Sequence, residues 1–447
     1  RPPLLRVPYT DPFPAPRIIP ASASTPSGAV EALVRFLAPS LPNSRHPPPG
    51  IRHAHAASHR IDNGSGHEVG RSTLFLTGAG ISVASGLADY RGTNGTYTLN
   101  RTYRPIYYHE FCANHEARKR YWARSFLGWT NLSNAKPNIA HYAVGRLGSG
   151  TSPSPSPSSP STGEKPKQNK GLGIVQSIIT QNVDSFHPIA HPTLPTTELH
   201  GYLRTLTCIS CGTEYPRDAF QLDLRRLNPT WADFLDEMLD KGALASEDPK
   251  EREKLGLKTN PDGDVDVPGA RYETFRYPAC PTCLNSSASS LGDDDGDAGH
   301  VHTDADGAYI PSPSSPSPST SFSSSSTTAT TTTTTAKKGI LKPSVIMFGE
   351  SIPASRKLEA ERAVDAAGRI LVVGSSLATY SAWRLVKRAR DRGLPVGILN
   401  IGGCRGEDVF FAGLGEEEGG EQGVRVSLGA DVVLPRVVEE LERLKGG

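Results

Sequence analysis

Residues 74–92 read LFLTGAGISVASGLADYRG. Leu74, Phe75 and Leu76 form an apolar run that meets Gly78-Ala79-Gly80, and small residues continue to Gly86. A short apolar run ending in glycines reads as a buried strand entering a turn. Glycines there let the backbone approach a pyrophosphate, whose charge is met by main-chain N–H groups at a helix start. Val83 stands where a full G-x-G-x-x-G would place its third glycine, so the stretch alone also reads as a tight turn. The triplet Asp89-Tyr90-Arg91 favours the ligand loop, since charge in a glycine-rich turn has little structural purpose.

Outward from this stretch, apolar runs bounded by glycine recur at 73–76, 174–180, 345–348, 370–373 and 396–401. Each reads as a strand buried on both faces. Helical patterns lie between the later ones, at 355–367 (SRKLEAERAVDAA) and 380–392 (YSAWRLVKRARDR), the second ended by Gly393 and Pro395. Such repetition predicts an α/β fold, a Rossmann-like parallel sheet with helices on both faces, whose ligands bind at the carboxyl ends of the strands.

The chain has 447 residues, 36% of them hydrophobic, with 44 Gly, 38 Pro and a net charge of +2. That composition implies looped or disordered length. The balanced charge gives no case for direct nucleic-acid binding, and no run of 18 apolar residues predicts a membrane span. Three stretches read as low-complexity insertions: 40–71, 149–170 (SGTSPSPSPSSPSTGEKPKQNK) and 284–338, the last with a DDDGD run and Ser/Pro and Thr tracts. Removing them leaves roughly 300 residues, enough for an α/β core plus a small module. Arg1, Arg6, Arg17 and Arg35 among Ser and Pro, with few acidic residues before Asp62, are compatible with a mitochondrial presequence.

Of six cysteines, Cys208 and Cys211 form one C-x-x-C, and Cys280 and Cys283 another. Four thiolates so paired suit one closed tetrahedral zinc site, which holds structure and leaves no open position for chemistry. The 68 residues between the pairs form a long loop, but closure entropy grows only logarithmically with length.

Further ligand-type residues stand at predicted strand tips. Gln181, Asn182 and Asp184 end ITQNVDSFH (179–187), either to bond a ribose or carboxamide or to form an Asx turn capping a helix. His200, in ELHGYLRTLTCISC (198–211), is either a packed residue or a general base. Gly374-Ser375-Ser376 follows one strand as a second phosphate cradle, and Asn400-Ile401-Gly402 ends another.

GAGISVASGLADYRG, TQNVD, LHG, the C-x-x-C pairs, FGE, GSSL and NIG together resemble the sirtuins, in the family's order. The wording VVGSSL and LPVGILNIG is most similar to class II, the mitochondrial sirtuin-four type. The resemblance implies a catalytic domain over 28–435, with Rossmann-like parts at about 72–200 and 340–435 and a zinc-ribbon module at about 201–283. It leaves an N-terminal extension of 1–27 and a C-terminal tail of 436–447, and includes a leading helix at 28–40. It implies an NAD-dependent protein-lysine deacylase that takes acylated lysines of protein substrates and releases nicotinamide and O-acyl-ADP-ribose. NAD would be held by Gly78, Ala79, Gly80, Ser82, Asp89, Tyr90 and Arg91, with Gln181, Asn182, Val183 and Asp184 lining the nicotinamide and its ribose. Gly374, Ser375, Ser376, Asn400, Ile401 and Gly402 would take phosphate and adenine ribose, with Ala430 near the adenine. His200 would be the general base, with Asn182 beside it in catalysis, and the four cysteines would bind one structural Zn2+.

Two departures stand out. His191 replaces the final glycine of an H-x-x-A-G, and Asn100 replaces the arginine of the Tyr-x-x-Arg that desuccinylating sirtuins carry, which argues against acidic acyl groups. Mono-ADP-ribosyl transfer, or non-catalytic NAD binding in an interaction protein, are the alternatives. A pure binder would not need the base.

Overall fold

A computed structural model describes residues 13–39, 72–92, 95–99, 104–148, 171–242, 264–267, 269–288, 301–311, 339–415 and 420–446, together with the short strands Thr151–Ser152, Asn169–Lys170 and Lys258–Thr259. They divide into two compact units, drawn from 1–103, 135–201 and 351–447 in the first and from 104–134 and 202–350 in the second. The longer strands, numbered along the chain, are β1 Thr73–Thr77, β2 Val175–Thr180, β3 Thr196–Glu198, β4 Gly201–Cys208, β5 Glu214–Pro216, β6 Leu341–Val345, β7 Arg369–Val373, β8 Val396–Leu399 and β9 Gly423–Val426.

The first unit is built on a parallel sheet of six strands in the order β9-β8-β7-β1-β2-β3. Every residue of β1, β7, β8 and β9 is buried, which is why these strands read as near-continuous apolar runs. Phe75, Leu371, Val373, Leu399 and Val424 share a core with the helices Pro26–Leu37, Ile139–Leu147 and Ala430–Gly446. Alternation sends Leu74 and Leu76 to the other face. The helices Ala354–Ala366 and Tyr380–Asp391 pack on each other, and the second packs on β7 and β8. From β1 the chain builds outward through β2 and β3, then returns to β1's other side with β7 and builds out to β9. Strand order therefore reverses between β1 and β7, where a doubly wound sheet offers its ligand crevice.

The predicted strands at 73–76, 174–180, 370–373 and 396–401 are β1, β2, β7 and β8, and the predicted helices shift by a residue or so at their ends. The run at 345–348 is different. Only Val345 of it lies in a strand, the end of β6, which belongs to the second unit's sheet of order β6-β4-β5, and Met347 and Leu341 are buried in that unit's core. The leading helix is Pro26–Leu37, capped by Thr25, whose hydroxyl accepts from the Gly28 N–H at 3.2 Å.

Ordered elements flank the expected span 28–435 at both ends. Buried Ile19 pairs antiparallel with Arg425 on the free edge of β9, through N–H···O bonds of 3.1 and 2.7 Å. Covering a sheet edge gives the segment before residue 28 a structural reason. The expected tail instead continues the helix Ala430–Gly446, whose Val433, Leu434, Val437, Val438 and Leu441 form its buried stripe.

The second unit takes in more than the expected module at 201–283. Phe111, Trp122, Phe126, Phe220, Phe275 and Tyr277 share one buried cluster, with the Trp122 and Phe220 rings 4.5 Å apart. The helix His115–Asn134 thus belongs here because its rings complete an aromatic core. Within the expected insertion 284–338, His302–Thr303 and Tyr309–Ile310 form an antiparallel hairpin. Tyr309 stacks on Tyr277 at 5.7 Å and Ala308 is buried, enough apolar contact to order a short loop in polar sequence. Residues 289–300 and 312–338 of that span, residues 1–12 and 40–71, most of 149–170, and Asn100 lie outside the described residues. The 149–170 insertion departs and returns through an antiparallel pair, Thr151 opposite Lys170. Among the described residues, no helix is long and apolar enough to cross a membrane.

Candidate active site and metal centre

Thr77 faces Val373 in the register of β1 and β7, so Gly78 and Gly374 leave the sheet side by side. Gly78 N–H donates to Val373 O at 3.0 Å, and Gly80 N–H donates to Gly374 O at 2.8 Å. Gly374 has φ +61°, and a Cβ there would lie 2.3 Å from the Ile81 nitrogen. A Cβ on Gly80 would lie 2.9 Å from the Gly374 Cα. The glycines thus let two strand-tip loops touch through backbone.

The loop departs from a Rossmann helix start. Two 3₁₀ turns, Ala79–Ile81 and Val83–Ser85, follow Gly78. The N–H groups of Gly78, Gly80, Ile81 and Ser82 all donate within the protein. A row of free helix N–H groups is therefore not what this loop offers an anion. Asn138, the N-cap of the helix Ile139–Leu147, donates to Ile81 O at 2.8 Å and to Ser85 Oγ at 2.9 Å, bracing the turns from outside.

Asp89 also has the structural purpose that its sequence setting lacked. Its Oδ1 accepts the Gly92 N–H at 3.0 Å, and a Cβ on Gly92 would lie 2.2 Å from its carboxylate. Burial raises its pKa, partly offset by the Gly92 bond. Tyr90 stacks on Tyr97 at 5.7 Å, and the Arg91 guanidinium lies 5.1 Å from the centroid of the same ring.

The tip of β2 ties these loops together. Gln181 Nε2 donates to Ser375 Oγ at 2.7 Å, and Gln181 Oε1 accepts from Thr379 Oγ1 at 3.0 Å. Asn182 Nδ2 donates to Gly78 O at 3.2 Å and to Ser82 Oγ at 3.1 Å. The Ser82 hydroxyl donates to Asp184 Oδ2 at 2.7 Å, while Asp184 Oδ1 accepts the Phe186 N–H at 2.9 Å. Asp184 therefore closes an Asx turn on the Phe186 N–H at the start of the short helix Phe186–Ala190, whose N-cap is Ser185, and holds Ser82 as well. Desolvation raises its pKa and these two bonds oppose the rise. Val183 is half-buried beside them.

His200 Nδ1 lies 3.2 Å from Gln181 O, and Nε2 lies 2.8 Å from Ser381 Oγ. Desolvation, with Arg356 adding in the same sense, lowers its pKa to about 4 against the Gln181 bond. The ring is neutral at pH 7, the form a base requires.

On the far side of β7, the Arg405 N–H donates to Ser376 O at 2.9 Å, and Cys404 Sγ donates to Ser375 O at 3.3 Å. Asn400 is buried, its amide nitrogen 2.9 Å from Ile401 O, whereas Ile401 is 64% exposed. Gly402 has φ +77° with open space where a Cβ would go. Ala430 begins the last helix, which packs on the Ala79–Ile81 turn.

Sequence reasoning missed several supports. Fully buried Arg425 pairs with Glu407 at 2.9 Å and donates to Asn400 O at 2.9 Å, fixing the β8 loop. Leu377 adopts φ +53°, a conformation leucine holds only when its surroundings enforce it, and it is fully buried. Thr77 Oγ1 is 2.8 Å from His187 Nε2, and His187 Nδ1 is 2.9 Å from His191 Nε2. His141 stands 5.1 Å from the His187 ring, completing a buried trio whose pKa values burial lowers, His141 to about 3 and His191 to about 4. His191, conspicuous in the sequence as a departure, is the one signal that pointed here.

In the second unit, the sulfurs of Cys208, Cys211, Cys280 and Cys283 lie within 4.8 Å of one another. Cys208 and Cys283 sulfurs are 3.6 Å apart, and Cys211 and Cys280 sulfurs 3.7 Å, too far for disulfides. A tetrahedron with Zn–S of about 2.3 Å has edges of about 3.8 Å, so the set fits zinc. Burial and the neighbouring thiols push Cys283 up, and a divalent cation would reverse that. The Cys208 carbonyl accepts the Gly212 N–H at 3.0 Å and the Cys280 carbonyl accepts the Leu284 N–H at 3.1 Å, so local backbone turns shape both knuckles, and the Gly339 carbonyl holds the second through the Cys280 N–H at 2.8 Å.

The Sir2 family model matches residues 78–152 and 167–381, its break falling within the Ser/Pro-rich insertion. The chain is 33% identical over 83% of its length to an NAD-dependent protein deacylase of Batrachochytrium dendrobatidis, covering 90% of that protein. It is 33% identical over 75% of its length to an NAD-dependent protein deacylase of Arabidopsis thaliana, covering 67% of it. It is 30% identical over 83% of its length to an NAD-dependent protein deacetylase of Bordetella bronchiseptica, covering 94% of it. With its strand-tip loops and its cysteine quartet both in place, the chain belongs to the Sir2 family.

Proposed function

We propose that the protein is an NAD-dependent protein-lysine deacylase in which His200 is the general base. The observation that carries this reading is a neutral imidazole fixed at Nδ1 by a main-chain oxygen, in the same unit and beside the strand-tip residue Gln181. The relatives' names support the activity. NAD, when bound, would supply the ADP-ribose that accepts the acyl group as nicotinamide leaves, with one water consumed in releasing free lysine and O-acyl-ADP-ribose.

The chain's own residues orient, close and accept a proton. The linked tips of β1, β2 and β7 bring together amide and hydroxyl groups with the Asp184 carboxylate, chemistry suited to sugar hydroxyls and a carboxamide. Gln181, Asn182 and Asp184 hold the loops in register, and Asn182 is the catalytic partner in this reading. His200 takes a hydroxyl proton at Nε2. The four cysteines bind one zinc that keeps the second unit folded. A mitochondrial location belongs to the proposal and rests on the resemblance to the sirtuin-four type.

The test is a panel of acyl-lysine peptides incubated with NAD and read by mass spectrometry. Nicotinamide and O-acyl-ADP-ribose in equal amounts are expected, with neutral acyl groups preferred. ADP-ribose attached to protein, without acyl transfer, would replace the reading with mono-ADP-ribosylation.

A further inference from the structure

His200 is held at both ring nitrogens. The Gln181 carbonyl can only accept, so Nδ1 carries the hydrogen. In the neutral ring Nε2 is then the acceptor, and the Ser381 hydroxyl, 2.8 Å away, donates to it. Ser381 is the second residue of the helix Tyr380–Asp391 and is half-buried. A serine in a helix's first turn ordinarily faces water or its own backbone. This one bonds a ring 181 residues earlier in the chain.

One residue braces both contacts. Gln181 fixes Nδ1 through its main-chain oxygen, and its side-chain oxygen accepts from Thr379 at 3.0 Å, two residues before Ser381. The segment carrying the serine is therefore clasped by the residue that fixes the tautomer.

We propose that Ser381 is a positioning residue for His200, holding the imidazole as the Nδ1–H tautomer with Nε2 ready to accept. The inference rests on His200 being the base. Nε2 has one in-plane lone pair, so an arriving hydroxyl displaces the serine hydrogen. Once the proton has moved to Nε2, the new N–H needs an acceptor, and the Ser381 oxygen is in place for it. Alanine fills neither role, and a partly buried imidazolium without that acceptor is destabilised.

The experiment uses the full chain and two variants, Ser381→Ala and Ser381→Thr. Ser381→Ala is expected to lower kcat about 10- to 100-fold, part of what general-base catalysis supplies, with the KM for NAD changed less than about threefold. Ser381→Thr keeps the hydroxyl and restores kcat. Nitrogen-15 NMR of histidine-labelled protein should show His200 as a single Nδ1–H tautomer in the wild type and Ser381→Thr, and a mixed population in Ser381→Ala. Wild-type kcat together with an unchanged His200 signal in Ser381→Ala overturns the inference. If His200→Ala itself keeps wild-type turnover, the base assignment falls instead, which separates the two failures.

Discussion

Gly374 shows how much of the site depends on one missing carbon. Its φ of +61° and a prospective Cβ 2.3 Å from the Ile81 nitrogen leave no room for a side chain between the two loops. Gly374→Ala should cost about 1–3 kcal/mol of stability from crowding and left-handed strain, and should weaken NAD binding at least about tenfold as the loops part. Calorimetric titration checks this, and wild-type affinity would show that the loops' contact is not needed for the cofactor. Gly374 was legible in the sequence as a small residue after a strand. Its neighbour Leu377 was not, because nothing in the letters signals a leucine at φ +53°. Asp89 drew attention by its charge as a ligand, and its carboxylate also accepts the Gly92 N–H, a structural role that the letters did not signal.

Among the elements, β1, β7 and β8 could be read because strands buried on both faces are written as near-continuous apolar runs, while β2 keeps its apolar residues at Val175, Ile178 and Ile179 around the exposed Gln176. The membership of the helix His115–Asn134 could not, since only tertiary packing joins Trp122 to Phe220 across the sequence. The hairpin around Tyr309 was hidden for the same reason, its few apolar residues lying in polar surroundings. The cysteine knuckles were fully legible, as ligand spacing is local. Zinc bound to such a set contributes directly to folding. A strong chelator should remove one zinc per chain and abolish the cooperative melting of the second unit, read by metal analysis and calorimetry. A metal-free protein with an unchanged melting profile would refute the structural role.

For the whole molecule, the buried trio His141, His187 and His191, with the partly buried His200, contributes to the response to acid. Burial lowers His141 to about 3 and His191 and His200 to about 4, and lowers His187 well below its ordinary value. Below pH about 6.5 the unfolded chain takes up protons on these rings while the folded chain does not, so stability falls as pH falls toward the folded values. Each ring contributes at most about 2 kcal/mol of loss between pH 7 and 5, less where the trio is coupled. Asp89 and Asp184, raised by burial, act in the opposite sense. Melting temperature should drop steeply over that interval, and His191→Ala should flatten the drop; a flat wild-type profile would contradict the buried neutral trio. Turnover is expected to depend on one neutral imidazole at the strand tips, and the most direct test compares His200→Ala with the wild type for O-acyl-ADP-ribose formation and for NAD binding. The predicted result is a fall in product formation of about 10²- to 10⁴-fold with NAD affinity nearly unchanged. Product formation at the wild-type rate would contradict it.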